Sequence, residues 1–380
     1  MRRTAVLIAL CLAVACTGGG DEKTPGATPS TTPPTTAAPT GGGALDFDRV
    51  TTVAGGLVVP WDLAFVDART ILVTERGGRV RVVRNGRLQS RPVARINVVS
   101  SGEGGLLGIA LHPQFPSQRF AYLYYTSGSG NRVSRFRLGT DLTFADEDVL
   151  IKGIPSASIH DGGRIAFGPD GMLYVSTGDA GQPQRAASRS SLAGKILRVR
   201  PDGSVPDDNP FRGSRVWSYG HRNPQGLAWD SRGRLFESEH GPTSELNLCC
   251  NDEINLIRKG GFYGWPYRAG RRGAFSGSPP DDPISPLATS GSDTWAPAGL
   301  VVDGGSALLV AALRGSRLMR FRFASGGPAI GDPSTALNDF GRLRAARFGP
   351  DGCLYLTTSN RDGRGSPRSN DDRILRICRR

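Results

Sequence analysis

The chain has 380 residues, of which 38% are hydrophobic and only 7% aromatic, and it contains 52 glycines. A chain of this length can bury a large core, and with 21% charged residues and glycines at irregular intervals it is neither a disordered polyelectrolyte nor a collagen. The formal charge of +13 favours anionic partners, but the basic residues are scattered without stacking aromatics, so no nucleic-acid binding is predicted.

The N-terminus has the pattern of an export signal. Arg2 and Arg3 precede an apolar run of eleven residues, 5–15, which is followed by Cys16 at the place where a bacterial lipoprotein signal carries its lipidated cysteine. Eleven apolar residues are far fewer than the roughly 20 that span a bilayer, so a transmembrane anchor is the less favoured alternative. We predict a lipoprotein signal peptide at 1–15 and a protein held by lipid alone on the outer side of the bacterial cytoplasmic membrane.

The next segment, residues 16–44, is predicted to be a linker that starts at the lipidated cysteine. Thr, Pro and Gly dominate its sequence, and this composition cannot form a core. As a flexible chain, residues 17–43 would reach roughly 30 Å. The domain that follows, residues 45–380, could therefore stand off the membrane.

The cysteines are compatible with disulfides. Cys11 is lost with the leader and Cys16 is assigned to the lipid. Four cysteines remain, namely Cys249, Cys250, Cys353 and Cys378. Outside the cytoplasm disulfides persist, and the preferred bridge joins Cys353 to Cys378, because both lie in the last of the repeats described next. The adjacent Cys249 and Cys250 could pair with each other or one could pair elsewhere; a metal site is less favoured, since no CxxC spacing accompanies them.

One sequence pattern recurs along the chain: an apolar pair, a turn rich in Gly, Asp or Pro, and a short β-branched or aromatic strand. Its six copies lie at 63–78, 109–126, 165–181, 227–241, 300–315 and 346–363. Six strand-rich units of about 56 residues each are typical of propeller blades. We predict an all-β protein, a six-bladed β-propeller, whose first strand at about 49–53 completes the last blade at 373–378. An open sandwich or solenoid is the alternative.

Polar residues that end strands in a propeller surround the mouth of its central channel, the usual ligand position. Loops with such groups are GEGGLLG (102–108), HDGGR (160–164), TGDAG (177–181), YGHRNPQG (219–226), SEHGP (238–242), DEINLI (252–257), FYGWP (262–266), ALRG (312–315) and GRLRAARFG (341–349). Together they offer a histidine, several arginines, and the carboxylates and carbonyls that suit a hard cation.

This ordered set resembles the glucose/sorbosone dehydrogenase family, soluble quinoprotein aldose dehydrogenases built as six-bladed propellers that use pyrroloquinoline quinone (PQQ) with calcium. The resemblance covers about residues 50–378 and rests on HDGGR, GDAG, GHRNPQGL, SEHGP, DEIN and YGWP in this order. It implies oxidation of an aldose at the anomeric carbon to the lactone, by hydride transfer to the quinone with a histidine as general base. The implied partners are a small sugar and an electron acceptor whose identity the sequence does not indicate.

The resemblance assigns roles residue by residue. His160 matches the base that takes the anomeric hydroxyl proton, a task for which imidazole is suited, and Asp179 matches an acid that orients it. The alternatives are that His160 is a loop histidine with only structural hydrogen bonds and that Asp179 is an ordinary turn residue. The implied cofactor contacts are Glu103, Arg222, Asn223, Gln225, Arg314, Arg342 and Arg344. Guanidinium groups suit the three carboxylates of PQQ, although any one arginine could be a solvated rim charge.

Two calcium sites are also implied by the resemblance. Gly241 and Pro242 resemble the pair whose backbone carbonyls hold the calcium beside the cofactor, while Glu253 and Tyr263 resemble a second site. Carbonyl and carboxylate oxygens are the ligands that calcium takes. Glu253 could instead be an ordinary surface carboxylate.

The chain departs from the family pattern in several loops. Glu103 stands where relatives commonly have a glutamine against the quinone, and its carboxylate adds an anion beside an anionic cofactor unless it is protonated or bound to an arginine. Asp161, the Cys249–Cys250 pair and residues 268–286 also differ, and these loops shape sugar selectivity. The alternative function, from another class, is a non-catalytic lipid-anchored propeller that binds a glycan or a protein.

Overall fold

The strands form six antiparallel sheets arranged as the blades of a β-propeller. The computed structural model describes residues 43–243, 248–325 and 327–380. The predicted signal peptide, Cys16 and nearly all of the predicted linker lie outside these residues. The all-β, six-bladed fold predicted from the sequence is confirmed.

In the first three blades the strands follow one another in chain order. Blade one consists of β2 (Pro60–Asp67), β3 (Thr70–Glu75), β4 (Arg79–Arg84), β5 (Arg87–Leu88) and β6 (Ala94–Arg95). Blade two consists of β7 (Leu106–Leu111), β8 (Phe120–Ser127), β9 (Gly130–Leu138) and β10 (Phe144–Ile154). Blade three consists of β11 (Ile165–Phe167), β12 (Leu173–Thr177), β13 (Lys195–Val199) and β14 (Val216–Tyr219), with the short helix α1 (Pro183–Ala187) between β12 and β13.

The last three blades complete the ring. Blade four consists of β15 (Pro224–Trp229), β16 (Leu235–Glu239), β17 (Glu253–Ile257) and β20 (Ala288–Thr289), with a hairpin of β18 (Arg268–Ala269) and β19 (Arg272–Gly273). Blade five consists of β21 (Pro297–Asp303), β22 (Ala307–Ala312), β23 (Arg317–Arg322) and β24 (Ser334–Leu337). Blade six consists of β25 (Leu343–Phe348), β26 (Leu354–Thr358), β27 (Ile374–Arg379) and β1 (Leu45–Ala54).

Each sequence repeat corresponds to the first two strands of one blade. The first strands of neighbouring blades contact each other around the ring, and β25 of the last blade contacts β2 of the first. The ring is fastened by β1, which pairs with β27 so that Val50 lies opposite Ile377 and Thr52 opposite Leu375. The predicted closure by the first strand is therefore confirmed.

The core is divided among the faces where neighbouring blades meet. On β3, Leu72 belongs to the apolar cluster between blades one and two, whereas Ile71 and Val73 belong to the cluster between blades six and one. Successive side chains of a strand point to opposite faces, so a sheet covered on both faces needs apolar residues at consecutive positions. The second strands β3 and β12 are accordingly buried along their whole length.

The four cysteines of the domain form two disulfides. Cys353, which precedes β26, is joined to Cys378 on β27, and the adjacent Cys249 and Cys250 are joined to each other ahead of β17. Within the described ranges, the chain contains no helix that is long and apolar enough to cross a membrane.

Candidate active site

A cleft of about 1060 Å³ opens among the loops that lead into and out of the inner strands. Beside it lies a smaller space of about 230 Å³, called here the inner chamber. The two share five lining residues, namely Glu103, His240, Leu313, Arg342 and Arg364. The cleft is also lined by His160, Arg222, Gly241 and Arg314, and the inner chamber by Gln225 and Arg344. Residues predicted from six separate loops therefore meet in one place.

His160 and Asp179 form a hydrogen-bonded pair at the cleft. Because β11 and β12 are antiparallel neighbours, the residue that leads into β11 and the residue that follows β12 reach the same edge of blade three. Nδ1 of His160 lies 2.7 Å from Oδ1 of Asp179. The other carboxylate oxygen accepts a 2.8 Å hydrogen bond from the indole N–H of Trp265. Both oxygens of the buried aspartate are thus occupied, which fixes the imidazole ring.

The loop of His160 depends on a glycine beside it. A side chain at Gly178 would collide with the carbonyl oxygen of His160, so only glycine allows the two segments to approach this closely. Asp179 is held in turn by its own backbone N–H, which donates to the carbonyl oxygen of Arg222 at 2.8 Å. Hydrogen bonds therefore connect His160 to Asp179 and Asp179 to the loop of Arg222.

Glu103 faces the cleft as an ion-paired carboxylate. Its Oε2 accepts the backbone N–H of His160 at 2.9 Å and Nδ2 of Asn223 at 3.3 Å, while its Oε1 lies 3.4 Å from the Arg364 guanidinium. Burial opposes ionisation of this carboxylate, but the interaction with His240, the hydrogen bond from the backbone N–H of His160 and, to a lesser degree, the charge of Arg364 outweigh it and lower the pKa of Glu103. Of the two possibilities that the sequence left open, the structure shows the carboxylate bound to an arginine.

The residues of the GHRNPQG loop are buried and tied together. Arg222 donates from Nη1 to the carbonyl oxygen of His240 at 3.2 Å, and its guanidinium lies 5.6 Å from the centre of the Trp265 ring. Oδ1 of Asn223 accepts hydrogen bonds from the backbone N–H of Gly162 at 3.1 Å and from Nε2 of Gln225 at 3.0 Å. Polar groups of this loop thereby line both the cleft and the inner chamber.

The remaining predicted arginines occupy three different surroundings. Arg342 is bound to Asp362, with Nη2 2.8 Å from the carboxylate. Arg344 is buried and donates to Oε1 of Gln225 at 3.2 Å, but its Nε has no acceptor within the described part of the chain. Arg314 is exposed on the wall of the cleft. Only Arg314 resembles the solvated rim charge that the sequence left as an alternative.

The loop of Gly241 and Pro242 is held in place by hydrogen bonds to the carboxylate of Asp252. The carboxylate accepts the N–H of Gly241 at 2.9 Å and the N–H groups of Trp295 and Ala296 at 2.7 and 2.9 Å. A side chain at position 241 would collide with the backbone of Cys250, so this residue must be glycine. The structure thus places Gly241 on the cleft wall and Pro242 buried next to it.

Glu253 lies in a buried group of carboxylates and not on the surface. It is the register partner of Glu239 on the neighbouring strand, and Glu237 lies opposite Asn255 in the same way. Burial raises the pKa of all three glutamates, and repulsion between Glu239 and Glu253 adds to this for Glu253. Within the described residues, Oε1 of Glu237 and Oδ1 of Asn255 have no hydrogen-bond partner. Such a set of buried oxygens suits a hard cation.

Tyr263 and His221 border this carboxylate group. The hydroxyl of Tyr263 donates to the carbonyl oxygen of Leu256 at 2.7 Å, and its ring stacks on His221 with centroids 4.7 Å apart. Nδ1 of His221 lies 2.9 Å from Oε2 of Glu239. Ligand atoms of His221, Glu237 and Glu239 lie close enough together to hold one metal ion.

Several residues of the site were missed by the sequence reasoning. Glu239, His240 and Trp265 lie inside the quoted motifs SEHGP and FYGWP, so their positions carried a signal that was not used. Arg76 and Arg364 lie outside the quoted motifs. Arg364 reaches Glu103 only through the closure of the ring.

Comparisons with known proteins identify the family and the fold. A family model described as Glucose / Sorbosone dehydrogenase matches residues 57–376. The PQQ-bound structure of an aldose sugar dehydrogenase from Streptomyces coelicolor is 41% identical and matches with a TM-score of 0.79, covering 90% of this chain and 99% of that chain. The aldose sugar dehydrogenase YliI of Escherichia coli is 33% identical over 342 residues, 80% of this chain and 88% of the relative. Quinoprotein glucose dehydrogenase B of Acinetobacter calcoaceticus is 37% identical over 205 residues, 45% of this chain and 41% of the relative.

Proposed function

The chain belongs to the glucose/sorbosone dehydrogenase family, and from that premise we propose that it oxidises an aldose at the anomeric carbon to the lactone, with PQQ and calcium as cofactors. The observation that carries this proposal is the His160–Asp179 pair on the wall of a cleft that arginines from four other loops also line. The name of the Streptomyces coelicolor relative, a PQQ-bound aldose sugar dehydrogenase, supports the choice of cofactor and substrate class.

The residues present fit PQQ. Its three carboxylates need cationic hydrogen-bond donors, and the buried Arg344 has an Nε without an acceptor in the described residues. Arg222, Arg342 and Arg314 would supply further guanidinium groups, and Asn223 and Gln225 would supply amides. The carboxylate of Glu103 does not oppose the cofactor with a free charge, because it is bound to Arg364.

The residues present also fit calcium. The carbonyl groups of Gly241 and Pro242 would hold the ion beside the cofactor, and Asp252 keeps their loop in place through its hydrogen bond to Gly241. Glu253 and the backbone of Tyr263 would hold a second ion, with Glu237 and Glu239 as additional carboxylates. A cation there would offset the repulsion among three buried glutamates.

The proposed reaction removes a hydride and a proton from the anomeric carbon and its hydroxyl group. When bound, PQQ supplies the hydride acceptor. His160 takes the hydroxyl proton as the C–O bond becomes a C=O bond. Since Nδ1 is held by Asp179, Nε2 is the ring nitrogen that receives this proton, and the carboxylate of Asp179 stabilises the imidazolium that results.

A titration of the full chain with PQQ, with and without calcium, tests this function. We expect calcium-dependent binding, followed by bleaching of the quinone absorbance when an aldose from a panel is added, and by reduction of an artificial electron acceptor when that acceptor is added afterwards. A protein that binds no PQQ in the presence of calcium would contradict the proposal and favour a propeller without catalytic activity.

The cellular location is proposed from the leader alone. Residues 1–15 would direct export and Cys16 would carry lipid, so that the reaction takes place outside the cytoplasm and delivers its electrons to an acceptor there. Mass spectrometry of the membrane-extracted protein should show a lipidated Cys16 at the N-terminus. An unmodified Cys16 would contradict the anchor and leave the enzymatic proposal untouched.

A further inference from the structure

The inner chamber contains more positive charge than its carboxylates neutralise. Four arginines line it, namely Arg76, Arg342, Arg344 and Arg364. Three carboxylates face them: Glu103, Asp161 and Asp362. A buried charge without a partner is strongly unfavourable in a folded protein, so a surplus of this kind indicates a missing counterion.

Two of the four arginines are neutralised by contacts within the chain. Arg342 is bound to Asp362 at 2.8 Å and Arg364 to Glu103 at 3.4 Å. The third carboxylate, Asp161, is turned toward a different partner, because its Oδ1 accepts Nδ2 of Asn131 at 2.8 Å. Within the described residues, Arg76 and Arg344 therefore form no direct ion pair, and the charges of Asp362 and Glu103 reach them only at longer range.

Arg344 is the buried member of this uncompensated pair. Its side chain is 8% exposed, its guanidinium lies 5.5 Å from the centre of the Trp61 ring, and its single hydrogen bond among the described residues goes to the neutral amide of Gln225. Burial lowers the pKa of Arg344 to about 9; the charge of Asp362 opposes this, and the positive charges of Arg76 and Arg342 add to it. The guanidinium of Arg344 therefore lies where binding of an anion would be favourable.

Arg76 is the second member, and no role has been assigned to it. It follows directly after β3 and is half-buried, and its side chain forms no hydrogen bond or ion pair with any part of the chain that the structure describes. The stem of its side chain packs against Gly105, where an added Cβ would meet Cγ of Arg76. Burial lowers the pKa of Arg76; the charges of Asp362 and Glu103 oppose this, and the like charges of Arg364 and Arg342 add to it. Arg76 therefore lines the chamber without a direct ion pair to a carboxylate of the described residues.

We propose that Arg76 and Arg344 form a carboxylate-binding subsite in the inner chamber, and that this subsite takes one carboxylate of the quinone cofactor. The inference rests on the proposed function and adds Arg76 to the residues that hold the cofactor. The size of the chamber supports it. About 230 Å³ is too small for a tricyclic cofactor together with a sugar, whereas the adjoining cleft of about 1060 Å³ has room for both. A carboxylate that projects from the cleft into the chamber would meet both guanidinium groups.

The test measures binding of PQQ to the full-length apoprotein in the presence of calcium, by calorimetry or by quenching of tryptophan fluorescence. The proteins compared are the wild type, Arg76→Gln, Arg76→Lys and Arg87→Gln. Arg87 is exposed on β5 of the same blade, so its substitution removes the same charge outside the chamber. A thermal melt of each apoprotein accompanies the titrations.

We expect the dissociation constant of Arg76→Gln for PQQ to be at least tenfold higher than that of the wild type, that of Arg76→Lys to lie between them, and that of Arg87→Gln to be unchanged. The apoprotein of Arg76→Gln should melt at the same temperature as the wild type or higher, because the substitution removes a repelled charge. A structural role would lower the melting temperature together with the affinity. Equal affinity of Arg76→Gln and wild type would overturn the inference while leaving the proposed function intact.

A competition experiment with inorganic phosphate tests whether the subsite binds a carboxylate of PQQ or a free anion. Phosphate should compete with PQQ for the wild type and much less for Arg76→Gln. If phosphate stabilises the wild-type apoprotein through Arg76 and the affinity for PQQ does not depend on Arg76, the subsite binds a free anion and the assignment to the cofactor is wrong. A wild type that binds no PQQ would overturn the proposed function and this inference together.

Discussion

Two histidine–carboxylate pairs lie close together in this propeller, and their surroundings differ. His160 and Asp179 are joined at 2.7 Å on the wall of the cleft, whereas His221 and Glu239 are joined at 2.9 Å inside blade four. The other contacts of the His221 ring are also with protein groups. Its Nε2 lies 2.9 Å from the hydroxyl of Ser218, and its face stacks on Tyr263. Burial lowers the pKa of His221 to about 3, so this imidazole stays neutral at physiological pH.

The comparison shows that a histidine bound to a carboxylate is not by itself a catalytic group. Both pairs satisfy the same distance criterion, but only His160 borders a space that can receive a substrate. His221 has each ring nitrogen within hydrogen-bond distance of a protein atom and has no solvent exposure. We therefore assign proton transfer to the first pair and stability to the second, and the following variants separate these roles.

The largest effect is expected for His160→Ala. Loss of the proposed base should lower kcat by about 10³-fold, since general base catalysis contributes roughly 10²- to 10⁴-fold. Steady-state kinetics with a saturating aldose measures the loss, and a PQQ titration of the same variant is the control. Retention of full activity would remove His160 from the mechanism.

His221→Ala should act on stability instead. The substitution leaves Glu239 and Ser218 without their buried partner and removes the ring that stacks on Tyr263, which should lower the free energy of unfolding by about 3 kcal/mol. Urea denaturation of the apoprotein checks this value, with Ser218→Ala as a milder control that removes one hydrogen bond. A loss of kcat comparable to that of His160→Ala, without a loss of stability, would contradict the assignment.

Asp179→Asn tests the contribution of the carboxylate to the His160–Asp179 pair. The amide keeps the size of the side chain but removes the charge that orients and stabilises the His160 ring, so kcat should fall by about 10²-fold. The KM for the aldose should change much less than kcat, because Asp179 is buried and does not line the cleft. A change confined to KM would indicate that Asp179 shapes the pocket and does not support the base.

The smallest effect concerns Asp161, the neighbour of His160. Burial raises the pKa of Asp161 to about 6, although hydrogen bonds from Asn131 and the N–H of Ala157 oppose this. The folded state therefore retains a proton that the unfolded state loses near pH 4, and this contribution to stability is lost as the pH rises from about 4 to about 6. Asp161→Asn keeps the acceptor oxygen and should exceed the wild type in unfolding free energy above pH 6 by about 1–2 kcal/mol.

Denaturant titrations of both proteins between pH 4 and pH 7 measure this difference. It should grow through the interval and then level off, because Asp161 is fully ionised in both states at higher pH. A difference that is the same at every pH would show that Asp161 does not titrate in this range.

The ring could be predicted from the sequence because each repeat is local. A turn of Gly, Asp or Pro between an apolar pair and a β-branched strand specifies the first two strands of a blade, as at 165–181, and six copies require closure. The pairing of β1 with β27 follows from the same need to cover strand edges. The two ends of the described domain meet for this reason.

Contacts between distant loops could not be predicted in the same way. Trp265 donates to Asp179 across 86 positions of sequence, and Arg364 reaches Glu103 across 261. Neither partner is implied by the other's motif, because the approach depends on how the loops fold over the channel. For the same reason the sequence left open whether Glu103 is protonated or bound to an arginine, and it gave no signal for Arg76.

The most direct test of the account is a single-turnover experiment with the full-length protein loaded with PQQ and calcium. Stopped-flow absorbance would follow the bleaching of the quinone after mixing with an aldose, for the wild type and for His160→Ala at equal cofactor occupancy. We expect rapid bleaching in the wild type and a rate lower by about 10³-fold in the variant. Equal rates in the two proteins would contradict the central claim that His160 accepts the proton as the sugar is oxidised.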